Sequence, residues 1–152
     1  MTRPFVLIGC FASALLASVA VAGIVAPGDV AIENLEATVS LSGAAGDPVA
    51  GRDAFADRKL GNCLACHANE DLSEQLFHGE VGPVLDGAGG RWTTGQLRAI
   101  VANAKAVFGE QTIMPGFYSL DVGEHVREDL VGQTILTAQQ VEDIVAYLAT
   151  LK

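Results

Sequence analysis

Two thiols and an imidazole stand together in Cys63-Leu64-Ala65-Cys66-His67. Two cysteines separated by two residues, with a histidine directly after the second, form the pattern that attaches a c-type haem covalently. Each thiol can add to one vinyl group of the porphyrin. His67, one peptide bond from Cys66, is then held beside the iron, so its ligation is nearly intramolecular. Two other chemistries use paired cysteines. A thioredoxin-like redox pair belongs near a βαβ pattern, which the chain lacks, and a zinc site needs a second ligand pair, which it also lacks. The third cysteine, Cys10, sits in an apolar leader, so no disulfide framework exists once Cys63 and Cys66 carry haem.

A haem with one histidine of its own needs a distal partner to work as an electron carrier, and His/Met ligation is a common solution. Met114 is the only methionine after the initiator, and it precedes Pro115. A residue before proline is biased toward extended backbone, which places Met114 on a loop and not in a helical core stripe. A lone methionine is otherwise core filler. The rivals are His78, in Leu76-Phe77-His78-Gly79, and His125, among Glu124, Arg127, Glu128 and Asp129. Both also read as ordinary surface histidines, and Met114 is the favoured ligand.

Two further groups could support the iron site. Pro83, in Val81-Gly82-Pro83, lies where a loop can return over the proximal side. Its carbonyl could accept from the free ring nitrogen of His67 and fix the ring, or the segment could be an ordinary turn. Arg91-Trp92 could present two donors to a haem propionate, or be a surface arginine beside a half-buried tryptophan.

Helices must position these groups. Gly51 to Leu60 has helical character, with Ala54, Phe55 and Leu60 on one side and Arg52, Asp53, Asp57, Arg58 and Lys59 facing water. Thr93-Thr94-Gly95-Gln96 can cap a helix whose apolar face is Leu97, Ile100, Val101 and Ala104. Thr137-Ala138-Gln139-Gln140 is a capping-box sequence opening a helix with Val141, Ile144, Val145, Leu148 and Leu151 on one face. Glu142 and Asp143 in its first turns and Lys152 at its end suit the helix dipole. From Lys105 to Leu136 the pattern is irregular, and a loop that long in a compact domain usually has a functional reason to be ordered.

The N-terminus reads as a targeting segment. Arg3 is followed by an apolar run from Phe5 to Val19 and by Ala20-Val21-Ala22, a small-x-small cleavage pattern, so residues 1–22 are expected to be a signal peptide and the mature protein periplasmic. The apolar run continues past Gly23 to Ala26 and is long enough to serve instead as an uncleaved anchor. Leu7-Ile8-Gly9-Cys10 resembles a lipoprotein box, but few apolar residues precede it. Residues 23–47, with the turn-rich Gly43-Ala44-Ala45-Gly46-Asp47-Pro48, read as an extension that is either a flexible spacer or a surface for a partner. Residues 48–152 form the domain.

The 152 residues carry a formal charge of -9, and loss of a leader whose only charged side chain is Arg3 makes the chain more acidic. Nucleic acid is therefore not expected as a partner. The mean hydropathy of +0.36 reflects the leader and many alanines and valines, and does not indicate a polytopic membrane protein. No stable membrane insertion is expected after processing. Aromatics are few, and a buried porphyrin would supply much of the core.

Helix, Cys-x-x-Cys-His, Gly-Pro loop, Met-Pro loop and a C-terminal helix ending in an aromatic and leucines together resemble a class I cytochrome c. The finer resemblance is to the SoxX family, the small monohaem subunits of the SoxAX complex of periplasmic thiosulfate oxidation. It is carried by Gly61 to His67, Val81-Gly82-Pro83-Val84-Leu85, Leu97-Arg98, Met114-Pro115-Gly116-Phe117-Tyr118, Ile135-Leu136-Thr137 and Val141 to Leu148, and it covers about residues 48 to 152. The haem motif is common to all c-type cytochromes, so the Met-Pro-Gly-Phe-Tyr segment and the C-terminal run carry the subfamily. The glycine-rich Ala88-Gly89-Gly90 before Arg91 departs from it slightly.

The resemblance implies an all-α fold around one covalently bound haem c, with the N- and C-terminal helices crossing near Gly51, Phe55 and Tyr147. It implies cofactor-binding roles for Cys63, Cys66, His67, Met114, Pro83 and Arg91, with His67 and Met114 on the iron. It also implies a larger SoxA-type cytochrome c partner, holding the catalytic haem with a modified cysteine, that joins thiosulfate to a cysteine of a transient sulfur-carrier protein. That reaction is an L-cysteine S-thiosulfotransferase activity. The small subunit then takes electrons for a downstream acceptor and has no catalytic residue of its own. Its mature sequence keeps no spare thiol, which agrees. The alternatives are an independent soluble class I cytochrome c shuttle, and a haem enzyme with an open iron, which requires that Met114 not ligate.

Overall fold

The computed structural model describes residues 23–121 and 123–152, so the expected leader lies outside the described residues. Among the described residues the architecture is all helical: α1 (Pro48–Ala56), α2 (Ala88–Arg91), α3 (Thr94–Phe108) and α4 (Ala138–Thr150), with short 3₁₀ turns between. No described helix is long and apolar enough to cross a membrane.

Helix α1 starts earlier than its periodicity suggests, because Asp47 accepts from Val49 N and Pro48 occupies the first turn, where a missing N–H costs nothing. It also stops earlier, at Ala56 and not Leu60. Asp57 ends it: the Asp57 carboxylate accepts from Lys59 N at 2.8 Å and its carbonyl from Leu60 N and Asn62 N at 3.1 and 3.0 Å, a local competition that favours a turn. Both expected capping boxes form, Thr93 with Gln96 on α3 and Thr137 with Gln140 on α4.

The centre of the fold is the crossing of α1 and α4, where the resemblance places it. A Cβ on Gly51 would lie 1.9 Å from the Asp143 carbonyl oxygen, so only glycine permits this approach. One turn along, Phe55 and Tyr147 meet edge to face with centroids 5.6 Å apart. Leu72, Leu136, Val141, Ile144 and Val145 complete a closed core, each side chain contributing roughly 1.5–3 kcal/mol by burial.

Glu142 and Asp143, the acids in the first turns of α4, are both buried. Glu142 makes a two-pronged ion pair with Arg98 of α3, at 2.7 and 2.9 Å, and accepts from Leu41 N at 2.8 Å; Asp143 accepts from Asp47 N at 2.8 Å. Residues 23–47 are neither a free spacer nor a surface kept for a partner along their whole length. They lie on the chain's own helices, with Ala37 and Leu41 buried and the Ala37 carbonyl accepting from Arg98 at 2.7 Å.

Candidate haem-binding site

After α1, Asn62 adopts a left-handed conformation, φ 47°, which asparagine tolerates better than most residues. It turns the chain into a 3₁₀ turn, Cys63–Ala65, closed by Cys66 N and His67 N, which both donate to the Cys63 carbonyl at 3.1 and 2.9 Å. Both thiols and the imidazole therefore issue from one tight turn, each partly buried. Burial pushes the Cys63 thiol up to about 12, so it stays protonated at neutral pH.

The segment 79–85 is laced along this turn. Gly79 N donates to Leu64 O, Gly82 N to Cys66 O and Leu85 N to Ala68 O, at 2.8, 2.7 and 3.0 Å. This brings the Pro83 carbonyl within 2.7 Å of His67 Nδ1. A carbonyl only accepts, so Nδ1 carries a proton, and in the neutral ring that leaves the lone pair on Nε2, the tautomer required of a metal ligand. Gly82 is under the ring: a Cβ there would sit 2.3 Å from His67 Cε1.

Arg91 lies on the loop that carries Pro83. Its two terminal nitrogens donate to Asp86 O at 2.5 Å and Val84 O at 3.0 Å, fastening the loop that presents Pro83. Trp92 packs edge-on against Phe108, 6.2 Å between centroids. His78 is committed to structure: Nδ1 accepts from Asn69 N at 3.2 Å and Nε2 lies 3.0 Å from Leu72 O, which leaves no nitrogen for iron. His125 is exposed, with φ 56°.

Met114 is half-buried and packs against the main core, as Cys63 does. The loop around it hangs from two fixings, neither legible in the sequence. Lys105 Nζ donates to Glu110 O at 3.0 Å and Thr112 O at 2.6 Å on one side. On the other, α3 breaks at Asn103 (φ -154°, ψ 87°), and the carbonyls of Val101 and Ala102 accept from Phe117 N and Tyr118 N at 3.2 and 3.0 Å. The Gly61-Asn62 pair is a turn signal that could have pointed to the left-handed Asn62. Nothing local marks Asn103 as a kink.

The residues present fit a c-type haem. Two thiols, an imidazole in the ligating tautomer and a thioether are the appropriate donor set. The large apolar side chains that stay exposed include Val81 and Val84, on either side of Gly82-Pro83, and Ile113, next to Met114 in the chain, surfaces that a porphyrin is suited to cover.

Comparison with known proteins agrees. The cytochrome c family model matches residues 48–152. Among curated proteins no sequence matches. A chain in the crystal structure of SoxXA from P. pantotrophus is 45% identical, superposes with a TM-score of 0.76, and the match covers 84% of this chain and 97% of that one. The likeness bears out the resemblance to the SoxX family and the all-α class I fold. Family membership brings covalent haem c with it, and Cys63, Cys66 and His67 stand in the required pattern. On the match from α1 to the C-terminus, and on the identity to a chain of SoxXA, this protein belongs to the cytochrome c family.

Proposed function

We propose that this chain is the electron-accepting small subunit of a SoxAX-type heterodimer of periplasmic thiosulfate oxidation, its larger SoxA-type partner joining thiosulfate to a carrier-protein cysteine. The observation that carries this reading is the 45% identity with a chain of SoxXA over 97% of that chain's length. The thiol inventory supports the division of labour. With Cys63 and Cys66 bonded to haem and Cys10 in the expected leader, no cysteine remains for sulfur chemistry.

Joining thiosulfate to a thiol forms an S–S bond and releases one proton and two electrons. When bound, the haem supplies one-electron exchange between ferrous and ferric iron. The chain's residues set that exchange. Cys63 and Cys66 would tether the porphyrin, His67 would offer Nε2 to its iron while Pro83 holds Nδ1–H, and Met114 would supply a second ligand. Arg91 holds the Pro83 loop through Val84 and Asp86. With His67 and Met114 both as ligands the iron would have no place for substrate, which suits an electron port and not a catalytic centre.

Co-expression with a larger c-type cytochrome encoded beside it is expected to give a stable complex whose haem is reduced on addition of thiosulfate and carrier protein. A chain that stays monomeric under all such conditions, and exchanges electrons equally well alone, would instead be an independent shuttle.

A further inference from the structure

We propose that Tyr118 is a positioning residue for Met114, and that its hydroxyl couples the N-terminal segment 25–41 to the methionine loop. The inference rests on the reading of Met114 as the second axial ligand. Tyr118 is buried, and its hydroxyl donates to the Val25 carbonyl at 2.7 Å. Burial pushes the phenol above its ordinary range, so it remains a neutral donor at neutral pH. Val25 is itself held, its N–H donating to Leu41 O at 2.8 Å, and Leu41 N in turn donates to Glu142 Oε1 at 2.8 Å. A continuous path of hydrogen bonds therefore runs from the buried Arg98–Glu142 pair, through Leu41 and Val25, to a tyrosine four residues after Met114.

Little slack separates that tyrosine from the methionine. Pro115 has a fixed φ. Gly116 is hemmed in, since a Cβ there would meet Ser119 Cβ at 2.8 Å and Asn103 Oδ1 at 3.2 Å. Among the described residues nothing hydrogen-bonds the backbone from Ile113 to Gly116, so Met114 spans a gap between the Lys105 fixing at Thr112 and the α3 fixing at Phe117 and Tyr118. Releasing the second fixing lets the thioether leave more readily. Residues 25–41 thus act on the distal ligand through Tyr118.

The test uses the ferric full-length holoprotein. Exogenous cyanide must displace the distal ligand, so its apparent affinity reads how easily the methionine loop opens. Tyr118→Phe removes one hydrogen bond and is expected to tighten apparent cyanide binding by about 3- to 10-fold. The amides of Phe117 and Tyr118 are expected to exchange with solvent faster by a similar factor. Lys152→Ala removes a hydrogen bond outside segment 25–41, that of Lys152 Nζ to Gly89 O at 2.6 Å, and is expected to leave both readings at wild-type values. Tyr118→Phe with wild-type cyanide affinity and amide exchange overturns the proposal, as does a Lys152→Ala effect of equal size. If the wild type lacks the weak near-infrared band of methionine–iron bonding and Met114→Ala changes nothing, the ligand reading falls and this inference with it. A wild-type band that Met114→Ala abolishes, with Tyr118→Phe inert, removes this inference alone.

Discussion

His67 Nδ1 lies 2.7 Å from the carbonyl oxygen of Pro83, and Gly82 packs directly beneath the imidazole. On an imidazole bound to iron such a hydrogen bond would make the ring a more electron-rich ligand, which favours ferric iron. Gly82→Ala puts a methyl into the space of the ring and must displace it or the loop. The reduction potential is expected to rise and the yield of holoprotein to fall. Pro83→Ala keeps the carbonyl and is expected to change both far less. Equal potentials in voltammetry for Gly82→Ala and wild type would show that the carbonyl does not tune the iron.

Met114→Ala tests the distal ligand. The thioether favours ferrous iron, so its removal is expected to lower the potential, abolish the weak near-infrared band of the ferric protein and open the site to rapid cyanide binding. His78→Ala is expected to leave all three unchanged, because both ring nitrogens of His78 are engaged by Asn69 and Leu72. A loss of the band in His78→Ala with none in Met114→Ala would reverse the assignment.

What the sequence made legible was local. The haem motif, the two capping boxes and the Met-Pro loop each depend on residues within a few positions of one another, where spacing alone carries the physics. Asp57 was legible in principle, as a carboxylate able to compete for the following N–H groups, but periodicity extended α1 past it. The pairing of Arg98 with Glu142 and the docking of Ala37 and Leu41 join residues far apart in the chain, and an acid early in a helix looks the same whether water or a buried guanidinium faces it. Arg91 shows the same limit. Its type suggests any anion or carbonyl, and only the fold selects Val84 O and Asp86 O.

Arg98 and Glu142 form a buried pair, with side chains 9% and 4% exposed. Breaking one side leaves an uncompensated charge, so Arg98→Met is expected to cost about 3–5 kcal/mol in urea unfolding and to expose residues 23–47 to proteases. The double variant Arg98→Met, Glu142→Leu is expected to recover only part of the loss. It removes the stranded carboxylate but also leaves Ala37 O and Leu41 N without partners, at about 1–3 kcal/mol for each buried group. A single-variant cost within about 1 kcal/mol of zero is what a solvated surface pair would give, and would contradict the buried placement.

Tyr147 joins α4 to the turn after the haem motif and gives the fold a pH signature. Its hydroxyl donates to Asp71 Oδ2 and accepts from Asn69 Nδ2, both at 2.8 Å, while Arg52 also bonds Asp71. The Asp71 carboxyl is held below its ordinary range, first by Tyr147 and then by Arg52. Its contribution is therefore present above the unfolded value of about 3.9 and lost as pH falls through the lowered folded value. The Tyr147 phenol is raised, chiefly by burial and then by Asp71, so its contribution is present below about 10 and lost as pH rises toward the folded value. Tyr147→Phe keeps the ring against Phe55 but strands the Asn69 amide, which is fully buried, and is expected to cost about 1–3 kcal/mol at neutral pH. The penalty should shrink at both ends, because the variant has no phenol to lose in base and loses less from Asp71 in acid. Urea midpoints from about pH 3 to pH 11 measure this, spanning the two unfolded pKa values. A penalty constant across that range would mean that the hydroxyl is not coupled to Asp71 in the folded protein.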